Sequence, residues 1–248
     1  NGEIVAGGNG QGNRIDQLNC PIDVIVDENN KSLIICDQDN RRVVRWSLQN
    51  PNGDKEILIE NIKCWGLMMN ENGDLFVSDR ENDAVKRWRK GEIKKGKEGR
   101  IVAGGNGKGN QLNQLNGPTY IFVDREETIY VSEWGNHRVM KWLKGAKEGI
   151  IVAGGNGQGD SLNQLSHPEG LVVNEVGDIY VADYENNRIM CWPLGSKEGH
   201  VVVGGNGSGE GSNQLSRPIG LSFDMENNLY VADSLNHRIQ RFSVDKNW

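Results

Sequence analysis

Three apolar runs of strand length occupy the stretch from Pro168 to Trp192, carried by Leu171/Val173, Ile179/Val181 and Ile189. Turn residues part them, Asn174 to Asp178 and then Asp183 to Asn187. Apolar positions at strand spacing, broken by Asn, Asp and Gly, predict strands joined by tight turns, here an antiparallel three-stranded meander. A near copy runs from Pro218 to Phe242, 50 residues on, and another from Pro118 to Trp142, 50 residues before. A fixed period of this size, built of strands, points to a propeller or a solenoid, because one such unit cannot bury its own faces alone.

The period is marked by the phrase Ile-Val-Ala-Gly-Gly-Asn-Gly, which begins at Ile4, Ile101 and Ile151 and returns in altered form at Val201. The missing copy is Ile57-Leu-Ile-Glu-Asn-Ile-Lys-Cys-Trp65, which keeps the strand and lacks the glycine loop. This predicts five outer strands, near 2–7, 56–60, 99–103, 149–153 and 199–203, and five meanders, near 21–46, 64–88, 118–142, 168–192 and 218–242. The chain opens on a lone outer strand and ends on a meander that lacks one. The expected fold is therefore all-β and single-domain over 1–248: a closed propeller of five four-stranded blades. Its N-terminal strand, near Ile4, would complete the last blade beside Gln240. Closure of that kind removes exposed sheet edges. The alternatives are an open solenoid, which would call for distinct capping repeats, and a six-bladed ring with one blade outside this chain.

Composition narrows the function. There are 28 basic and 34 acidic residues, a formal net charge of -6. That balance argues against sequence-blind nucleic-acid binding, which rests on phosphate neutralisation. No run of 18 apolar residues occurs, so no membrane helix is expected. No charged-then-apolar leader opens the chain, so a cytosolic protein or a processed, secreted one is expected, with secretion slightly favoured. Of the four cysteines, Cys20, Cys36, Cys64 and Cys191, none makes the C-x-x-C pair of a zinc site. Cys36 stands where other repeats carry Ser78, Ser132, Ala182 and Ala232, and reads as a small buried residue. Cys20 and Cys64 both open innermost strands, and a disulfide between them is the pairing considered for a secreted protein. Asn30-Lys-Ser and Asn206-Gly-Ser match the glycosylation pattern, as chance allows in a chain this rich in Asn.

The recurring phrases Pro-x-Gly-Leu, Ile-Tyr-Val-Ala-Asp and Asn-His-Arg-Ile, in this order and spacing, resemble NHL repeats over nearly the whole chain. The resemblance implies a β-propeller, most often of six blades, used chiefly as an interaction platform. Its relatives include RNA-binding and protein-binding domains, sensor domains, and more distant propeller lyases and hydrolases with central metal ions.

Residues that recur in every repeat read as framework. The acid after each second strand is Asp37, Asp79, Glu133, Asp183 or Asp233. The Arg opening the third strand is Arg42, Arg138, Arg188 or Arg238, with Ala84 the exception. Such a pair suits a charge-assisted, bidentate bond pinning the turn. Trp46, Trp88, Trp142, Trp192 and Phe242 suit packing between blades. The glycine pairs suit turns with positive φ. Gly-x-Gly here opens no helix, which argues against a dinucleotide site. The histidines share repeat positions with unrelated residues, show no metal-ligand spacing, and no Gly-x-Ser-x-Gly elbow exists.

The informative positions are those where the repeats disagree. In propellers the loops entering the innermost strand and those joining the second and third strands lie on one face, an expectation by analogy of architecture. On that face, Asp23 and Tyr120 replace a glycine, and Trp65, Tyr120, Trp134 and Tyr184 are aromatics beyond the framework. With Arg80, Asp23 and Glu169 they predict a mixed aromatic and polar ligand-binding surface. The reading is a non-enzymatic binding or scaffold module for a protein, peptide or glycan. No cofactor is called for; the alternative is a lyase or hydrolase with a channel-bound Ca²⁺ or Zn²⁺ near Asp23 and Glu169. Single-stranded RNA binding is the second alternative. The oligomeric state is open.

Overall fold

The computed structural model describes residues 3–50 and 53–244. Gly2, the first residue of the expected N-terminal strand, lies outside them, as do residues 51–52 and 245–248. Among the described residues nineteen strands form five antiparallel sheets. The first blade is β1 (Pro21–Asp27), β2 (Ser32–Asp37), β3 (Arg42–Ser47) and β4 (Lys55–Glu60). The second is β5 (Cys64–Met69), β6 (Leu75–Asp79), β7 (Ala84–Trp88) and β8 (Arg100–Gly104). The third is β9 (Pro118–Val123), β10 (Ile129–Glu133), β11 (Arg138–Trp142) and β12 (Ile150–Gly154). The fourth is β13 (Pro168–Val173), β14 (Ile179–Asp183), β15 (Arg188–Trp192) and β16 (His200–Gly204). The fifth holds β17 (Pro218–Phe223), β18 (Asn228–Asp233) and β19 (Arg238–Ser243). Apart from two short 3-10 turns the described residues contain no helix. The architecture is a five-bladed β-propeller, and the five meanders and the four interior outer strands stand where the periodicity puts them.

The pattern of burial explains the layers. β10 and β14 are buried at every residue, because both faces of each blade pack on a neighbour. Four apolar clusters fill the seams between consecutive blades. In the third-to-fourth seam, Val139, Ala153 and Leu165 meet Leu171, Val181, Met190 and Trp192. Trp88, Trp142, Trp192 and Phe242 sit in these seam clusters, whereas Trp46 packs within the first blade.

The recurring acid and Arg pin each turn more extensively than a bidentate pair would. Arg188 Nε donates to Asp183 Oδ2 at 2.7 Å. Its two Nη groups donate instead to the carbonyls of Asp160, Ser161 and Gln164 in the preceding glycine loop. Asp183 Oδ1 accepts the Ser166 backbone N–H at 2.6 Å, and Asn186 Nδ2 bridges Asp183 to Gly159. So one buried carboxylate ties the turn, the loop and the strand entry together. The same set recurs at Arg42, Arg138 and Arg238. The second blade lacks both the Arg and the glycine loop, and Lys86 reaches Asp79 at 2.8 Å in their place. Gly154 has φ +64°, and a Cβ there would lie 2.5 Å from the His137 carbonyl, which is why the phrase keeps glycine.

Two expectations are corrected. First, residues 3–9 form no strand and do not pair with β19, so the fifth sheet has three strands among the described residues. Ala6 and Leu18 pack instead on Ile35, Val44 and Trp46 of the first blade, as Ala153 and Leu165 pack on the fourth. The seam between the fifth and first blades holds no shared apolar cluster among the described residues. Val24 and Val26 on one side and Ile239 on the other are 54%, 58% and 67% exposed. Second, the disulfide joins Cys36 to Cys64, with Cα atoms 5.8 Å apart, while Cys20 is a free, exposed thiol. Cys36 on β2 and Cys64 opening β5 face each other across the first seam, within one apolar cluster; the fold brings the Cα atoms within disulfide reach.

Candidate functional site

Both kinds of loop chosen from the sequence lie on one face, joined backbone to backbone. The N–H groups of Arg80, Trp134 and Glu185, in the turns after β6, β10 and β14, donate to the carbonyls of Lys63, Gly117 and Ser166 at the entries to β5, β9 and β13. Each innermost strand carries a register shift over its first four residues. A bulge there breaks the alternation and re-aims side chains, and it is where Asp23, Trp65, Tyr120 and Glu169 sit.

Two of the three glycines at the position of Asp23 and Tyr120, Gly66 and Gly170, mark close backbone approach. A Cβ on Gly66 would lie 2.9 Å from the Tyr120 Cα, and one on Gly170 would lie 2.2 Å from the Ile219 carbonyl. Gly66 therefore makes room for Tyr120. Asp23 turns toward the second blade, where its Oδ2 accepts the Leu67 N–H at 2.8 Å.

Five of the seven selected residues, Trp65, Arg80, Trp134, Glu169 and Tyr184, form one connected group drawn from the second, third and fourth blades, while Asp23 and Tyr120 line the neighbouring central cavity. Trp65 Nε1 donates to Glu169 Oε2 at 3.0 Å, joining the second blade to the fourth. The Arg80 guanidinium lies over the Trp65 ring, 4.1 Å from its centre, and 5.5 Å from that of Trp134. Trp134 packs on Tyr184 at 5.2 Å between ring centres. Asp23 and Glu169 both act electrostatically on Tyr120.

Three further residues belong here that the sequence reading passed over. His167 packs on Trp134 at 4.5 Å, His137 on His167 at 4.6 Å, and Arg217 lies 5.4 Å from the Tyr184 ring centre. His137 Nδ1 accepts the His167 backbone N–H, so that nitrogen carries no proton. All three have φ between 51° and 54°. Equivalent left-handed positions are held by Cys20, Arg41, Asp83, Gly117, Asn187 and His237. That shared backbone demand hid them, since the residue type varies while the conformation does not.

Burial governs the charges. Glu169 is 2% exposed, and loss of water pushes its carboxyl up to about 8, with Arg80 and the Trp65 N–H holding it back only in part. Burial raises Asp23 to about 6 against the pull of the Leu67 and Val24 N–H groups. Tyr120 is raised by burial and by those two carboxyls. Burial lowers Arg80, opposed by Glu169 and Asp83.

Comparison with known proteins follows the architecture. The NHL repeat family matches residues 165–192 and 215–242. Those two segments match NHL repeats, and the fold that holds them is a five-bladed β-propeller. No curated protein sequence matches it. Among solved structures, an auxiliary nutrient binding protein from Bacteroides thetaiotaomicron is similar, with TM-score 0.71 and 18% identity over 93% of this chain. The propeller spans 60% of that protein's length. A gluconolactonase from Xanthomonas campestris matches with TM-score 0.67 and 15% identity, covering 93% of this chain and 78% of that one. A chain of a nidogen/laminin complex gives TM-score 0.67 and 18% identity, covering 90% and 76%. At these identities the likeness is one of fold.

Among the described residues no three His, Cys, Asp or Glu side chains converge as metal ligands. Asp23 is committed to backbone N–H groups, and Glu169 lies beside a cation and an indole donor.

Proposed function

We propose that this propeller is a binding module whose ligand, a protein, peptide or glycan, seats on the face built from Asp23, Trp65, Arg80, Tyr120, Trp134, Glu169 and Tyr184. One observation carries the reading. The repeated polar residues are consumed in pinning turns, whereas Trp65, Arg80, Trp134, Glu169 and Tyr184, which do not repeat and come from three blades, converge into one aromatic and charged cluster. Aromatics and Arg are the side chains that dominate binding surfaces. Two fold relatives, an auxiliary nutrient binding protein and a chain of a nidogen/laminin complex, support it at the level of the scaffold. The Cys36–Cys64 disulfide supports a secreted protein, since such bonds persist in oxidising compartments.

A glycan and peptide array probed with the whole protein tests this. Hits that disappear in Tyr184→Ala and in Arg80→Gln, with thermal melts still cooperative, support the assignment. Hits untouched by both substitutions place the ligand elsewhere. Turnover of an ester or lactone panel, with no retained ligand, makes the propeller an enzyme.

A further inference from the structure

Arg80 is the exception among the arginines. Arg42, Arg138, Arg188 and Arg238 spend their donors on a carboxylate and loop carbonyls. Arg41, Arg45 and Arg87 face acids. Arg89, Arg100 and Arg241 have no such acceptor and are exposed. Arg80 is partly buried, yet among the described residues its guanidinium donates no hydrogen bond and forms no ion pair. Its nitrogens are not among the buried polar atoms that lack a partner, so the N–H groups stay open to solvent and to an acceptor from outside the chain.

Resting on the binding-module reading above, we propose that Arg80 is the anchor for a carboxylate group of the ligand. Trp65 and Trp134 hold its guanidinium in place, and Glu169 is the neighbouring acid that competes with the ligand for it. The stack fixes the guanidinium against two rings, 4.1 and 5.5 Å from their centres, and leaves its N–H groups unspent. That fork matches a planar carboxylate with two parallel hydrogen bonds. Asp83 and Glu169 both act on Arg80, so a singly charged oxyanion meets less repulsion here than a doubly charged phosphate.

The same geometry gives a pH dependence. The groups facing Glu169 are the Trp65 N–H, Arg80 and Tyr120, with Asp23 beyond Tyr120 and Asp83 beside Arg80. With its carboxyl pushed to about 8, Glu169 is largely protonated at neutral pH and leaves the charge of Arg80 uncompensated. Above that pH it ionises, pairs with Arg80 and repels a bound carboxylate. By linkage the affinity falls by at most about tenfold per pH unit there. Asp23 titrates lower, at about 6, and is ionised throughout that range.

Calorimetric titration of the full chain tests this with two matched pairs, glucuronate against glucose and a short peptide acid against its C-terminal amide, and with inorganic phosphate. Measurements are made at about pH 6.5 and about pH 9.5. The expected result is that one acid binds at least about tenfold more tightly than its neutral match, and the pair in which this occurs identifies a sugar acid or a peptide terminus as the source. Arg80→Gln abolishes the difference, Arg80→Lys keeps part of it, and Glu169→Gln keeps it at high pH where the native protein loses it. Equal binding of acid and neutral partners overturns the proposal, as does a difference that survives Arg80→Gln, or phosphate binding tighter than carboxylate. Should Arg80→Gln not fold, a pH-independent preference in the native protein overturns it equally. Array ligands that bind this face without regard to a carboxylate defeat this inference and leave the binding module standing; no ligand on the face defeats both.

Discussion

Replacing Glu169 by Gln removes a proton equilibrium from the interior and leaves the shape nearly unchanged. The amide oxygen can still accept the Trp65 N–H that Glu169 Oε2 accepts at 3.0 Å. In the folded protein burial moves the carboxyl from 4.5 to about 8. One pKa unit is worth about 1.4 kcal/mol, so the folded state favours the protonated form by roughly 5 kcal/mol relative to the unfolded chain. The sign follows from proton counting. Between the two values the folded state holds a proton that the unfolded state has released, so this contribution is fully present below about pH 4.5 and lost as pH rises through 8. Urea unfolding of native and Glu169→Gln protein at several pH values isolates it. The native protein should lose stability relative to the variant between about pH 5 and about pH 9, by several kcal/mol. Asp23, raised in the same direction by burial, is present in both proteins and cancels in the difference. A difference that stays flat, or grows in favour of the native protein as pH rises, would show that Glu169 is ionised in the folded state and that Arg80 is already paired with it.

Trp192→Ala should cost about 3–5 kcal/mol in a thermal or urea melt, because the ring is wholly buried in the seam between the third and fourth blades. Trp134→Ala should cost about 1–2 kcal/mol, since that ring is partly exposed and packs mainly on Arg80, His167 and Tyr184; equal losses would erase the division between framework and site. Arg188→Ala strands the buried Asp183 carboxylate and should cost about 3–5 kcal/mol, whereas Arg238→Ala, whose side chain is 29% exposed against 6% for Arg188, should cost clearly less by the same assay. Reducing the Cys36–Cys64 bridge, which closes a loop of sequence separation 28, should lower stability by about 3–4 kcal/mol, read as a fall in Tm with dithiothreitol that Cys36→Ala does not show.

Most of the fold is written in the period. The five meanders follow from short apolar runs between turn residues, because that signal is local and repeated. The N-terminal strand was misread for a physical reason. The phrase at Ile4 encodes packing onto the blade that follows, through Ala6 and Leu18 on Ile35, Val44 and Trp46. Pairing with a preceding third strand is a separate interaction, and β19 does not provide it here. The disulfide was missed because Cys36 and Cys64 become neighbours only when two blades pack, while Cys20 and Cys64 share a place in the repeat without sharing a place in space. The site was legible where identity breaks the repeat, as at Asp23 and Tyr120. It was illegible at His137, His167 and Arg217, where varied residue types occupy one left-handed backbone position.

The way the turns are pinned explains how one face can carry a charged cluster at all. In the first, third, fourth and fifth blades, Arg Nη groups brace the turn against a glycine loop, so the loop that bears Trp134 or Tyr184 is fixed by its own blade. The second blade has neither the Arg nor the loop. Its turn is held by Lys86 and Asn82 on Asp79 and by the Arg80 N–H on the Lys63 carbonyl. Arg80 therefore stands on a turn without that Arg brace, and its side chain takes its position from rings on the second and third blades. Those rings are in turn tied to the fourth blade through Glu169 and Tyr184. A guanidinium placed by three blades and donating to none of them is a component of the assembled face and of no single repeat. Ligand recognition there depends on the seams as well as on the loops, so a change that loosens a seam should reach Arg80 without touching it.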